Sequence, residues 1–136
     1  MRSLLGSTIE EQADVTIVDM EAGLEHLSRS GGTLAHADVL VMVMEPSRKS
    51  IITAARTVAL ADELGIPKTF GLGNKARTED DVALFQEQCP PLGIELIGVL
   101  PHDAAVVEAD RRGTVVTSGP AADALQAVVD RLLALD

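Results

Sequence analysis

Asp19 directly follows the apolar run Val15-Thr16-Ile17-Val18, and Gly23 comes four residues later. A carboxylate at that position can order Mg²⁺ through water, and a glycine at that spacing lets a backbone N–H approach a phosphate oxygen. The same pair also makes an ordinary turn, the Asp capping it and the Gly relieving it. Three further groups leave apolar runs in the same way: Glu45-Pro46-Ser47-Arg48, Gly73-Asn74-Lys75 and Pro101-His102-Asp103. Open parallel sheets bind ligands outside the carboxyl ends of their strands, so these four segments are where chemistry is to be sought. His26, His36 and His102 share no ligand spacing and read as surface or capping histidines. Cys89, just before Pro90, reads as a small buried apolar residue.

The elements that must position these groups follow from periodicity. Four apolar runs, Val15–Val18, Val39–Met44, Thr69–Leu72 and Ile94–Leu100, recur at spacings long enough to hold a helix between each pair. The second is β-branched and apolar without alternation, as expected of a strand covered on both faces. Ile51, Ala54, Ala55, Val58, Ala61 and Leu64 form one stripe of a helix starting near Ser47, with Gly65 as its left-handed cap and Pro67 beyond. Thr78-Glu79-Asp80-Asp81 resembles a capping box opening a helix that buries Val82 and Phe85 and stops at Pro90-Pro91. Asp103 can cap a short helix ending at Gly113. Pro120 opens a last helix whose Leu125, Val128, Val129, Leu132 and Leu133 make a broad apolar face expected to pack on the sheet. The predicted fold is α/β, a parallel sheet with helices on both faces, in a single domain over residues 1–136.

Composition narrows the function classes. With 11 Lys and Arg against 21 Asp and Glu, the net charge is −10 and no basic stripe is present, so nucleic acid is an unexpected partner. No run of about 18 uncharged apolar residues exists, and the last helix lacks the basic face of a membrane anchor, so no membrane partner is expected. A single cysteine forms no intrachain disulfide, which fits a reducing, cytoplasmic compartment. Two Phe with neither Tyr nor Trp leave an aliphatic core and no aromatic platform for stacking bases.

The segment Val15-Thr16-Ile17-Val18-Asp19-Met20-Glu21-Ala22-Gly23-Leu24-Glu25-His26-Leu27-Ser28-Arg29 resembles a stretch of the CooC ATPases, which insert nickel into carbon-monoxide dehydrogenase and belong with the MinD and ParA deviant-Walker P-loop proteins. Ala37-Asp38-Val39-Leu40, Glu45 to Ser50, Gly73-Asn74-Lys75, Gly98 to Pro101 and Glu108 to Gly113 resemble the same family in the same order. The resemblance implies a three-layer P-loop NTPase-like fold binding ATP and Mg²⁺. It implies Asp19 as the Walker B carboxylate that orders Mg²⁺ and its water, and Gly23 as the switch glycine facing the γ-phosphate. Asn74 would hydrogen-bond adenine, Pro101, His102 and Asp103 would close over the base mostly through backbone atoms, and Lys75 would buttress that pocket. No Gly-Lys-Ser/Thr loop occurs here, and the Cys-x-Cys that binds metal between family dimers, just upstream of the segment beginning at Met1-Arg2-Ser3-Leu4-Leu5, has no counterpart. The resemblance is therefore to the C-terminal half of such an ATPase, without the P-loop strand and inactive alone. Its implied partners are a P-loop half or a homodimer mate and a nickel enzyme as client; nickel itself has no site here. The family's P-loop strand lies between the Walker B strand and the next one, so Val15–Val18 and Val39–Met44 either close that gap or leave an apolar slot.

Two other readings compete. Gly71-Leu72-Gly73-Asn74-Lys75-Ala76 matches the dinucleotide fingerprint Gly-x-Gly-x-x-Gly/Ala of a Rossmann domain, but Arg77-Thr78 intervenes before the next helix. A non-catalytic regulatory or scaffold domain would keep the α/β fold for protein contacts alone. A receiver module is disfavoured because Asn74 stands where its phosphoacceptor Asp would be.

Overall fold

Val39–Met44 forms strand β1, and its alternation sorts side chains onto two faces of a sheet. In the computed structural model, which describes residues 15–20 and 37–135, β1 is followed by α1 (Arg48–Glu63), β2 (Lys68–Ala76), α2 (Glu79–Gln88), a 3₁₀ turn (Pro90–Leu92), β3 (Leu96–Pro101), α3 (Ala104–Arg112) and α4 (Pro120–Leu133). The sheet has the order β1-β2-β3 and is parallel throughout, with Val39 opposite Lys68 through to Met44 opposite Gly73, and Gly71 opposite Leu96.

Local chemistry sets the helix boundaries. Ser47 caps α1, its hydroxyl accepting from the Ser50 N–H at 3.2 Å, and Gly65 leaves the helix at φ 77°. Thr78 caps α2 by accepting from the Asp81 N–H, while the Asp81 carboxylate accepts from the Arg77 N–H at 2.8 Å, one residue earlier than a capping box places that bond. Asp103 caps α3, and Gly113 ends it in the left-handed region.

Two cores flank the sheet. On one face Met42, Met44, Ile51, Ala54, Phe85, Cys89 and Ile94 join α1 and α2 to the strands. On the other, Phe70, Leu72, Ile97 and Val128 join α4, with Val39, Val41 and Leu132 packed against them. This is the expected α/β/α layering. Gly71 and Gly73 are part of its packing, because a Cβ at Gly71 would lie 2.6 Å from Ile94 Cγ2 and one at Gly73 would lie 2.7 Å from the Phe85 ring. They sit inside a strand and let buried side chains touch backbone. The dinucleotide fingerprint needs a tight turn there, so the Rossmann reading fails.

Three expectations are corrected. Val15–Val18 is not a strand; it runs without regular structure, with Val15, Ile17 and Val18 exposed. A strand exists only through its ladder, and among the described residues nothing pairs with the free edge of β1. The gap is thus not closed by this segment. β1 is not covered on both faces along its length: Val43 is 63% exposed, because α4 lies over β3 and leaves the far end of β1 bare. For the same reason only Val128 of the α4 stripe is buried, while Leu125, Val129 and Leu133 face outward.

Candidate functional site

A parallel sheet brings all its strand carboxyl ends to one edge, and here that edge gathers Glu45, Asn74, Lys75, Pro101, His102 and Asp103. Asn74 and Lys75 stand on the tail of β2, not in the loop beyond it, because the ladder continues to Ala76, opposite Pro101. The His102 N–H donates to the Ala76 carbonyl at 2.8 Å, which locks the loop after β3 against the end of β2.

The Asn74 side-chain oxygen accepts from the Lys75 N–H at 2.9 Å. That bond fixes the amide orientation, since only the oxygen can face a donor, and leaves the NH₂ to point elsewhere. Lys75 is the single non-glycine residue with positive φ among those described, at 59°. Its ammonium pairs with the Glu45 carboxylate at 3.1 Å across the β1 and β2 ends, and the Glu45 N–H donates to the Ser50 hydroxyl at 2.9 Å. Both ion-pair partners are largely exposed, so the pair orients Lys75 more than it stabilises the fold.

Asp103 is occupied by the fold. One carboxylate oxygen accepts from the Ala105 N–H at 2.9 Å and the other from the Ala121 N–H at 3.3 Å, so a single anion serves the N-termini of α3 and α4. Gly119, at φ 112°, clears the way: a Cβ there would lie 3.0 Å from that carboxylate. His102 is exposed at the same edge.

Asp19 is not brought to this group. Its neighbour Met20 packs against Ala61 and Ile66 together with Leu40 and Leu60, which places it where β1 and β2 begin. β1 then carries the chain roughly 13 Å from Leu40 to Met44. Gly23, Glu21, His26 and His36 lie outside the described residues. Among the described residues no three His, Cys, Asp or Glu side chains gather as a metal site, and no helix is long and apolar enough to cross a membrane. Burial pushes the Cys89 thiol above its usual range, as expected of a small core residue. Sequence reasoning gave no role to Glu45 and missed the link from Asp103 to α4, for which Gly119-Pro120 was the available signal.

No protein-family model matches the chain. It is 39% identical over 113 residues to an uncharacterised ATP-binding protein of Methanocaldococcus jannaschii, covering 83% of this chain and 43% of that protein. It is 35% identical to the carbon monoxide dehydrogenase accessory protein CooC of Rhodospirillum rubrum, covering 83% of this chain and 41% of CooC. The chain thus spans about two fifths of these curated relatives. Its fold is similar to that of the cell division protein MinD of Aquifex aeolicus, with a TM-score of 0.80 at 22% identity, covering 100% of this chain and 62% of MinD. It is also similar to MinD of Pyrococcus horikoshii, solved with Mg-ADP, with a TM-score of 0.72 at 18% identity over 98% of this chain and 58% of that one. The chain is therefore a homologue of a segment of CooC and of archaeal ATP-binding proteins, built on the MinD/ParA P-loop ATPase fold.

Proposed function

We propose that the chain supplies the base-binding part of an ATP site in a CooC-type accessory ATPase, and that a P-loop-bearing segment completes the site. The observation that carries this reading is the locked adjacency of Asn74, at the end of β2, and Pro101-His102-Asp103, at the end of β3. Asn74 offers an amide NH₂ and a second oxygen lone pair at that edge, the donor and acceptor an adenine edge requires. Pro101 and His102 contribute backbone; the Asp103 carboxylate holds the loop and does not bind the base. Lys75 buttresses the site through Glu45.

Gly23 lies outside the described residues, and Asp19, beside Met20 near the start of β1, is the one described carboxylate this reading assigns to Mg²⁺. The metal role of Asp19 and the phosphate role of Gly23 belong to the completed site, which the edge of β1, unpaired among the described residues, is suited to form. Nickel would be cargo for a client enzyme, with no site for it among the described residues, in a cytoplasmic setting and with a P-loop half or a homodimer as partner.

A second reading is favoured by the Asn74-to-Lys75 bond itself, which a non-catalytic scaffold would use to hold its turn. Asn74→Ala separates the two in the complex reconstituted with a P-loop half. The ATP-site reading predicts a loss of roughly 1–3 kcal/mol in ATP affinity with an eroded adenine preference and little change in melting. Unchanged affinity with a lowered melting temperature establishes the scaffold.

A further inference from the structure

The strand order sets where each part of a nucleotide lies in the site proposed above. The base contacts stand at the ends of β2 and β3, and the phosphate cradle is to be added beyond β1, whose far edge is unpaired among the described residues. Neighbouring strands are about 4.8 Å apart, so roughly 10 Å separates β2 from an added strand, with the end of β1 between them. The ribose, which joins base to phosphate, therefore crosses the end of β1. Glu45 is the first residue past that strand, and since Met44 pairs with Gly73, it stands beside Asn74.

Glu45 is held through both its backbone and its side chain. Its N–H donates to the Ser50 hydroxyl at 2.9 Å, and Pro46 disfavours helical backbone at Glu45. Its Oε1 meets the Lys75 ammonium at 3.1 Å. Lys75 comes from a bulge, where β2 shifts register against β3 between Gly73 and Ala76, and bulges re-aim side chains beside functional sites. An exposed ion pair adds little to stability, so its effect is to orient the carboxylate. The Glu45 side chain is 65% exposed and open to a ligand.

We propose that Glu45 recognises the ribose, its carboxylate accepting hydrogen bonds from the 2′- and 3′-hydroxyls of the bound ribonucleotide. This rests on the ATP-site reading above. An ionised carboxylate only accepts, and the ribose diol offers two donors side by side. Dinucleotide sites use an acidic residue at the ribose in the same way. Lys75 keeps the carboxylate in place and offsets its repulsion of the nearby phosphates.

The test is an NMR titration of the isotope-labelled chain with ATP and with 2′,3′-dideoxyATP, read at the Asn74 side-chain amide, with thermal melting alongside. Removing both hydroxyls removes two hydrogen bonds, so wild type binds the dideoxy nucleotide at least about fivefold more weakly than ATP. Glu45→Ala binds the two equally; the charge it removes acts on both triphosphates alike, so the ratio isolates the ribose. The proposal is overturned if wild type binds both nucleotides equally, or if folded Glu45→Ala keeps the preference. No response of wild-type Asn74 to either nucleotide overturns the ATP-site reading itself.

Discussion

Asp103→Ala tests how the site edge is held. The carboxylate accepts one N–H from each of two helices, at 2.9 and 3.3 Å. Losing one capping bond costs about 1 kcal/mol, and losing an anion at a helix N-terminus costs about 0.3–1 kcal/mol more. The second contact is longer and half-buried, so the two helices together give about 2–3 kcal/mol for Asp103→Ala. Asp103→Asn keeps a single acceptor oxygen and is expected to lose about half of that. Urea unfolding of wild type and both variants gives the answer from the midpoints, provided the slope is shared. An Asp103→Ala variant within about 0.5 kcal/mol of wild type refutes the clamp. So does an Asp103→Asn variant as damaged as Asp103→Ala.

Gly73→Ala places a methyl 2.7 Å from the Phe85 ring and is expected to destabilise by about 1–3 kcal/mol, partly relieved by Phe85→Leu, as a denaturation double-mutant cycle will show. Burial raises the Cys89 thiol above its value in the unfolded chain, so above about pH 9 the unfolded state releases this proton first. Stability therefore falls as pH rises through that value, and urea titrations from pH 7 to 10 should show Cys89→Ala with a shallower decline. The edge of β1, unpaired among the described residues, with Val43 exposed, predicts dimers or larger species by light scattering, and Val43→Lys should shift them toward monomer. A wild type that is strictly monomeric contradicts the open edge.

Helix ends were the most legible part of the fold, because Ser47, Thr78, Asp103, Gly65 and Gly113 act through bonds to neighbours a few residues away. The run Val15–Val18 misled because apolar, β-branched composition states a preference for pairing and says nothing about whether a partner strand is present. The α4 stripe misled similarly. Its spacing marked a face, but α4 lies mainly over β3, where Arg131 reaches the Ile97 carbonyl, and much of that face stays exposed. At the candidate site the residue types were readable after the apolar runs, and the parallel topology that unites Asn74 with Pro101–Asp103 followed from the crossovers. The bulge at Lys75 and the Glu45 contact were hidden, since register shifts arise from how two strands meet.

The central claim, that this chain holds base contacts without a phosphate cradle, is tested most directly by calorimetry of the chain alone with Mg-ATP. The account predicts a dissociation constant of about 1 mM or weaker, because the phosphate contacts that supply most of the affinity lie elsewhere. A micromolar constant would contradict it.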